Sequence, residues 1–181
     1  MNRNQVLIGK NEKIRQLFEL LVELRGEMDQ FILKELNRSL PFAEVLFDRW
    51  ERADALGFGK GTSVYDSCLI FGKVEVGENT WIGPNTILDG SGGLKIGSNC
   101  SISAAVHIYS HDTVQWATSG GIEPYEYHAV CIEDNCYIGP QSIIASNVSL
   151  GKGCIVGANS FVNQSFPSNS KIAGNPAKLI S

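Results

Sequence analysis

The sequence predicts a mainly β protein in which three-sided coils stack into a solenoid, preceded by a short α-helical segment. Two observations indicate the solenoid: an aliphatic residue recurs at every sixth position over most of the chain, and a column of small residues keeps the same period. A third observation indicates the helical segment, because apolar residues in the first third of the chain recur at helical spacing instead.

The aliphatic column defines the repeat. A slip of two residues interrupts it after Leu88, and a long polar stretch interrupts it after Ile108. The column occupies fourteen positions, which are Val64, Ile70, Val76, Ile82, Leu88, Ile96, Ile102, Ile108, Ile132, Ile138, Ile144, Leu150, Val156 and Val162. Because such coils pair as parallel strands about 4.8 Å apart, we expect one hexad per flat side, with its aliphatic residue pointing into a continuous core.

A second column of mostly small residues lies four positions after the aliphatic one. Its members are Cys68, Val74, Thr80, Thr86, Cys100, Val106, Cys136, Ser142, Val148, Cys154 and Ser160. We expect them where neighbouring walls converge, so four of the five cysteines are interpreted as small apolar fillers. Glycine often follows the aliphatic residue, as at Gly83, Gly97 and Gly139, and is expected to supply the φ values that sharp corners need.

Composition and charge argue against several classes of protein. The net charge of −4 gives no strong attraction to nucleic acid or an anionic membrane, and no apolar run approaches the roughly 20 residues that cross a bilayer. The stretch MNRNQVLIGKNEK lacks the apolar run of a signal peptide, so a cytoplasmic location is expected. Five cysteines without a CxxC pair argue against a structural zinc site and a disulfide framework.

Residues 1–57 are predicted to be a helical segment and residues 58–181 a β-helical domain. Asn11 suits the N-cap of the first helix, and Pro41 suits the first turn of a second short helix over about residues 41–53. The apolar positions of the first helix are Ile14, Leu17, Phe18, Leu21, Leu24, Met28, Phe31 and Ile32. Because a stack of coils exposes its core at its ends, we expect these helices to cap the solenoid or to join subunits.

The repeat is interrupted twice before it reaches a C-terminal tail, residues 168–181. The first interruption is the glycine-rich stretch LDGSGGLK, residues 88–95. The second is a long loop, residues 109–131, and loops of this length inside a compact repeat are usually functional or disordered. Its histidines and large aromatic residues include His111, Trp116, Tyr125, Tyr127 and His128.

The segments VGENTWIGPNTI and YIGPQSIIASNVSLGKGCIVGANSFV resemble the hexapeptide-repeat acyltransferases, and the resemblance covers residues 62–180. The ending IAGNPAKLI, residues 172–180, resembles the closing motif of acetyltransferases in that superfamily, especially those that act on sugars. The resemblance implies a left-handed parallel β-helix, acetyl-CoA as co-substrate with no metal, and a sugar or sugar-nucleotide acceptor. It also implies a homotrimer with active sites between subunits.

The same resemblance places a catalytic histidine at the start of the extruded loop, where His111 stands in IYSHD. The chemistry requires such a group, since a sugar hydroxyl is a poor nucleophile at neutral pH. A neutral imidazole can take the hydroxyl proton during attack on the thioester and then donate a proton to the departing thiolate. We therefore expect direct transfer through a ternary complex, with His111 as general base.

Four residues are expected to contact the acceptor. Asn85, in GPNTILDG, matches an acceptor-binding asparagine of related sugar acetyltransferases, although a corner asparagine fits the pattern equally well. Asp89 lies four residues further along the same segment and is expected to contact the acceptor as well. His128 and Trp116 lie in the loop, where Trp116 either stacks on a sugar or pins the loop to the solenoid. His107 is interpreted as a packed or hydrogen-bonded wall residue.

The last coils are expected to bind coenzyme A. GANSFVNQ, residues 157–164, matches the family segment along which pantetheine lies, so Ala158, Ser160 and Gln164 are assigned to the cofactor. Lys178, in GNPAK, is assigned to the nucleotide phosphates.

The thioester oxygen needs a hydrogen-bond donor as charge develops on it. In relatives a backbone N–H at the place of Pro140 often supplies it, and proline has no N–H. Gly139 or Gln141 is therefore expected to serve, unless the geometry differs.

Several functions stay open at this point. O-acetylation of a surface-polysaccharide sugar is the first expectation, and N-acetylation of an amino sugar on a nucleotide carrier is the second. Zinc carbonic anhydrases share the implied fold, but here no histidine precedes His107 and the first pair has HxxxH spacing. A non-enzymatic scaffold would need neither the loop histidine nor the GNPAK ending.

Overall fold

A computed structural model describes residues 11–180 of the chain. Contacts divide these residues into two compact units, one ending at Leu46 and one beginning at Phe47. The helices are α1 Glu12–Leu36, α2 Phe42–Leu46, α3 Arg49–Ala55 and α4 Val114–Thr118. The strands are β1 Ser63–Val64, β2 Leu69–Val76, β3 Trp81–Ile82, β4 Ile87–Ile96, β5 Ser101–Ile102, β6 His107–Ile108, β7 His111–Asp112, β8 Glu126–Tyr127, β9 Val130–Ile132, β10 Tyr137–Ile138, β11 Ile143–Ile144, β12 Ser149–Leu150, β13 Ile155–Val156, β14 Phe161–Val162, β15 Lys171–Gly174 and β16 Ala177–Leu179.

The first unit consists of α1 and α2. Asn11 caps α1 as predicted, because its side-chain oxygen accepts the backbone N–H of Ile14 at 3.0 Å. Asn37 ends the helix in the left-handed conformation. The Arg25 guanidinium lies 5.9 Å from the ring centre of Phe42 on α2. No helix within residues 11–180 is long and apolar enough to cross a membrane.

The predicted second helix over residues 41–53 is wrong in one respect, because the segment forms two helices. Pro41 directly precedes α2, but α2 ends at Leu46. Asp48 then starts α3 by accepting the backbone N–H groups of Trp50 and Glu51 at 2.8 and 3.0 Å. An aspartate that satisfies two free N–H groups favours a helix start over a continuous helix.

The second unit is the predicted left-handed parallel β-helix, with three walls. The first wall contains β1, β3, β5, β10, β13 and β15, and β16 closes it by pairing antiparallel with β15. The second wall contains the first halves of β2 and β4, followed by β6, β11 and β14. The third wall contains the second halves of β2 and β4, followed by β9 and β12.

Both predicted columns are confirmed as the core. Every aliphatic position is buried except Ile70, which is half-buried. The small column is buried as well, except Val74, which packs against the core from the edge. Its thiols donate to carbonyl oxygens of the next coil, as Cys136 does to Gly151 at 3.3 Å and Cys154 to Pro167 at 3.2 Å. The small residues thus also link neighbouring coils.

The expectation that glycines form the corners is wrong. The left-handed corner positions are mostly asparagines, at positions 79, 85, 99, 135, 147, 159 and 169. The glycines that follow aliphatic residues serve a different purpose, which is close approach of the coils. A Cβ on Gly139 would lie 2.5 Å from the backbone nitrogen of Ala158, and one on Gly151 would lie 2.5 Å from that of Ser168.

The glycine-rich slip is a bulge within one long strand. β2 and β4 pair in register up to Gly72 and Gly90, and the register then shifts so that Val74 pairs with Leu94. The extra residues leave the wall at Ser91 and rejoin it after Gly93, whose φ is +96°. The slip therefore adds length to one edge of the solenoid without ending the sheet.

The loop over residues 109–131 has structure of its own. β7 and β8 pair antiparallel, with His111 opposite Tyr127 and Asp112 opposite Glu126. The short helix α4 lies between these strands. The loop is thus a folded excursion whose two ends are held together at the solenoid.

We predict that Gly151→Ala destabilises the protein by about 1–3 kcal/mol, because its methyl group overpacks the neighbouring coil. Gly26→Ala is the matched control, since nothing lies within 4 Å of a Cβ at this position in α1. It is expected to raise stability by up to about 1 kcal/mol through helix propensity. Urea unfolding monitored by circular dichroism measures both, and equal stability of the two variants would contradict the close-approach explanation.

Candidate active site

The candidate site lies where the extruded loop leaves the second wall. Nδ1 of His111 is 2.5 Å from Oδ2 of Asp89, a residue of β4 one coil earlier. The His111 side chain is about one-third exposed, whereas Asp89 is only 2% exposed. The pair therefore presents an imidazole to solvent and keeps its carboxylate inside.

Asp89 is held in its charged form. Burial alone raises the pKa of its carboxyl, but hydrogen bonds from the Ser91 hydroxyl, from His111 and from the backbone N–H groups of Ser91 and Ser110 lower that pKa to about 2. An ionised carboxylate only accepts hydrogen bonds, so Nδ1 of His111 carries the proton. When the ring is neutral, Nε2 is then the basic nitrogen and faces away from Asp89.

A buried serine ties the site together. The backbone N–H of Ser110 donates to Asp89 at 2.9 Å, and its hydroxyl accepts the N–H of Gly92 at 2.8 Å. Its carbonyl accepts the N–H of His128 at 2.9 Å, which closes the far end of the loop. A Cβ on Gly92 would lie 2.3 Å from the Ser110 carbonyl oxygen, so the bulge needs glycine at this position.

Aromatic rings surround the imidazole. The ring of Tyr109 stands edge-on to His111 with centres 6.3 Å apart, and Tyr127 lies tilted at 6.4 Å. The Tyr109 hydroxyl is 3.4 Å from Nδ1 of His107. These rings limit the directions in which the His111 side chain can turn.

Other loop residues have contacts of their own. Trp116 packs edge-on against Tyr125 at 5.3 Å, which is a contact within the loop. Nε2 of His128 lies 3.6 Å from Glu126, and both side chains are about half exposed. Oδ1 of Asp112 accepts the N–H of Val114 at 2.6 Å, so this carboxylate orders the loop.

The sequence-predicted site residues fall into two groups on opposite edges of the second wall. We call the corner through which the chain enters the strands of this wall the entry edge, and the corner through which it leaves them the exit edge. Asn85 lies on the entry edge in the left-handed conformation, four residues before Asp89. At about 3.3 Å per residue this separates the two by roughly 13 Å. The exit edge carries Asp89, His111, Trp116, His128 and Gln164.

The residues assigned to coenzyme A are mostly on the entry edge. The N–H of Asn159 donates to Pro140, which stacks the segments around Gln141 and Ala158. Ser160 is buried, its hydroxyl donating to Gly157 at 2.7 Å and accepting the N–H of Gly174 at 3.1 Å. The exposed Lys178 lies on β16 at the last coil of the first wall.

Neither backbone N–H expected to stabilise the thioester oxygen is free. The N–H of Gly139 donates to the Val156 carbonyl at 2.8 Å, and that of Gln141 donates to the Ala104 carbonyl at 3.0 Å. Both bonds belong to the ladder between coils. Within a single subunit, therefore, neither the Gly139 N–H nor the Gln141 N–H can be the oxyanion donor, and that expectation is wrong.

Within residues 11–180, no group of three or more His, Cys, Asp or Glu side chains is arranged to hold a metal ion. The three histidines have separate partners, namely Tyr109 for His107, Asp89 for His111 and Glu126 for His128.

The sequence predicts roles for Asp89 and His111 but not the contact between them. It also gives no sign of the hydrogen bonds that Ser91 and Ser110 make to Asp89, or of the ring contact between Tyr109 and His111. A signal was available. Leu88 and Ile108 are aliphatic positions of stacked coils, so the residues that follow them must share one edge. That Asp89 and His111 turn toward each other depends on the bulge after Gly90 and on the loop after Ile108, and both of these break the repeat.

We predict that Asp89→Asn lowers the free energy of unfolding near neutral pH and flattens its acid dependence. A carboxylate whose pKa is lower in the folded protein than in the unfolded chain stabilises the fold above pH about 4 and loses this contribution as the pH falls toward 2. Urea unfolding at a series of pH values should therefore show a steeper loss for wild type than for Asp89→Asn in this range. Ser91→Ala, which removes one donor, should lie between them; parallel profiles would contradict the assignment.

Two family models match the repeats. One, described as bacterial transferase hexapeptide (six repeats), matches residues 132–164, and the other, described as hexapeptide repeat of succinyl-transferase, matches residues 73–110. A 2,3,4,5-tetrahydropyridine-2,6-dicarboxylate N-acetyltransferase from Staphylococcus aureus is 44% identical over 62 residues, which is 34% of this chain and 26% of that protein. The matched part thus spans about a quarter of the length of the curated relatives.

Solved structures share the fold. AntD, an N-acyltransferase from Bacillus cereus in complex with dTDP and 3-hydroxybutyryl-CoA, superposes with a TM-score of 0.63 at 26% identity, over 68% of this chain and 70% of AntD. The hexapeptide-repeat acetyltransferase VCA0836 from Vibrio cholerae O1 biovar eltor, complexed with acetyl-CoA, gives a TM-score of 0.54 at 23% identity, over 96% of this chain and 90% of VCA0836. With its two repeat columns and three parallel walls, the chain has the left-handed β-helix fold, and its repeats are similar to those of the hexapeptide-repeat transferases.

Proposed function

We propose that the protein is a cytoplasmic acetyltransferase that moves an acetyl group from acetyl-CoA to a hydroxyl of a sugar, in surface-polysaccharide biosynthesis. The observation that carries the proposal is the 2.5 Å contact between buried Asp89 and Nδ1 of His111. The similar proteins support acyl transfer from a coenzyme A thioester, because AntD is an N-acyltransferase bound to 3-hydroxybutyryl-CoA.

The pair suits general base catalysis. Nε2 of neutral His111 takes the proton of the acceptor hydroxyl as its oxygen attacks the thioester carbonyl. The tetrahedral intermediate collapses with loss of the coenzyme A thiolate, which takes the proton back from the imidazolium. Ionised Asp89 stabilises that imidazolium and fixes the tautomer, so it acts as a positioning residue and not, as expected from the sequence, as an acceptor ligand.

The charge distribution favours a neutral acceptor over a nucleotide-linked one. Between Lys95 and Lys152 the chain contains neither lysine nor arginine, and this span includes the whole loop beside His111. The loop instead carries the carboxylates of Asp112, Glu123 and Glu126. A diphosphate placed beside this loop would meet the negative charge of its carboxylates, whereas a sugar hydroxyl would not be repelled.

Cations occur instead in the last coils, where the proposed coenzyme A segment lies. Lys152, Lys171 and Lys178 are all exposed in that part of the β-helix. The phosphates of coenzyme A need such partners, so we assign Lys178 to them, with Ala158 giving close approach to pantetheine. Ser160 does not contribute its hydroxyl, because that group is used inside the solenoid.

A second candidate is N-acylation of a nucleotide-linked amino sugar. AntD was crystallised with dTDP, and the Staphylococcus aureus relative is an N-acetyltransferase. An amine needs less help from a base than a hydroxyl does, so loss of His111 should impair this reaction less.

We further propose a three-fold trimer in which the entry edge of one copy faces the exit edge of the next. The outward residues of the second wall stand in strict register and are apolar except for His107; they are Leu69, Ile87, His107, Ile143 and Phe161. Such a surface favours burial against another copy. The arrangement would unite Asn85 with His111, which lie at opposite edges within one chain, and would let a neighbouring copy supply the oxyanion donor.

We predict that His111→Ala reduces acceptor-dependent release of coenzyme A by roughly 10²–10⁴-fold, because the general base is lost. Release from acetyl-CoA is followed by mass spectrometry over a panel of neutral sugars, amino sugars and sugar nucleotides. His128→Ala is the comparison, since its ring pairs with Glu126; as an expected acceptor contact it should raise the KM for the acceptor more than it lowers kcat. Release that is unchanged in His111→Ala would show that another residue is the base, and a preference for sugar nucleotides would favour the second candidate.

We predict that Ile143→Glu weakens the trimer, so that its mass measured by light scattering falls on dilution at concentrations where wild type stays trimeric, because it places a charge among the outward apolar residues of the second wall. Ser149→Glu puts the same charge on the third wall, whose outward residues include Glu75 and Lys95, and should leave the mass unchanged. Wild-type protein that is already monomeric would contradict the trimer and the shared site together.

A further inference from the structure

The helix α1 carries a heptad pattern that the β-helix does not use. Its stripe of apolar residues alternates spacings of three and four, which is the a and d pattern of a coiled coil. The members of this stripe are Ile14, Leu17, Leu21, Leu24, Met28 and Phe31. The c positions of the same heptads are all polar, being Gln16, Glu23 and Gln30.

The stripe is open over most of its length. Five of its six members are between 40% and 63% exposed, and none of the residues of α1 is buried. Only the end near Met28 has a neighbour in the same unit, where Val45 of α2 forms one side of a shallow cavity of about 330 Å³. Within residues 11–46, no other element covers the stripe.

The exposed area reaches the lower end of the range for specific interfaces. Each exposed member of the stripe, and Leu20 beside it, leaves on the order of 100 Å² open, so the six together expose about 600 Å², compared with about 800 Å² per partner in a standard interface. The flanks are also apolar at Phe18 (e), Leu20 (g) and Ile32 (e). A wide apolar face of this kind suits a bundle of more than two helices better than a pair.

We propose that this stripe packs against the same stripe of other copies of the chain, as a parallel bundle of three α1 helices. A self-complementary heptad needs no second partner, since a and d residues of one copy fill the spaces between those of another. The parallel direction rests on the three-fold assembly proposed above, because rotation about a three-fold axis keeps the direction of each helix along that axis. The bundle itself requires no enzymatic activity.

Disulfide trapping of the full-length protein tests this. Leu17→Cys and its neighbour Gln16→Cys, which lies at a c position, are compared in a Cys131→Ser background, since the four other cysteines are buried. Mild oxidation should link Leu17→Cys chains to each other, identified by mass spectrometry as a peptide pair joined at position 17 of both chains. Gln16→Cys chains should link at least 10-fold less, and Leu21→Glu in the Leu17→Cys background should abolish the linkage.

A mixture of Leu17→Cys and Met28→Cys proteins separates the alternatives. Residue 17 meets residue 17 only if the helices are parallel, whereas in an antiparallel pair a positions face d positions, so that residue 17 approaches residue 28. Linkage of 17 to 28 alone would overturn the parallel bundle and leave the catalytic proposal untouched. Equal linkage at positions 16 and 17, or none at either, would overturn the proposed packing of the stripe against itself and would show that something else covers it.

Discussion

The backbone ladder between stacked coils is the constraint on which the rest of the structure depends. Each coil donates its N–H groups to the coil beside it at hydrogen-bond distance, as Gly139 does to Val156 at 2.8 Å and Gly97 to Ile132 at 2.8 Å. This spacing leaves no room for a Cβ at several positions after the aliphatic residues. It also fixes a six-residue period, since a residue gained or lost would turn the aliphatic column out of the core.

The candidate site arises because the period is broken twice at one edge. The bulge after Asp89 and the loop after Ile108 leave the solenoid on neighbouring coils, so their free backbone groups lie close enough to satisfy each other. Ser110 makes most of these connections. The His111 imidazole is thus held by a rigid scaffold, while the residues around it are free of the repeat.

The fold was predictable from the sequence and the site only in part. The two columns specify which side chains face inward, and they hold at nearly every position because the ladder permits no alternative. The corners were misread, since asparagine adopts the left-handed conformation there and glycine is needed for close approach. The single helix predicted over residues 41–53 is two helices, because Asp48 caps the start of a second one. The Asp89–His111 contact was missed because it depends on residues outside the period, where hydrophobic spacing carries no information.

The most direct test of the central claim is the tautomer of His111, read from ¹⁵N chemical shifts of protein labelled at its three histidines. The His111→Ala spectrum identifies the signals. At a pH where the ring is neutral, we expect a protonated Nδ1 and an unprotonated Nε2, because ionised Asp89 accepts from Nδ1. A neutral ring protonated at Nε2 would contradict it, since no basic nitrogen would then face the acceptor.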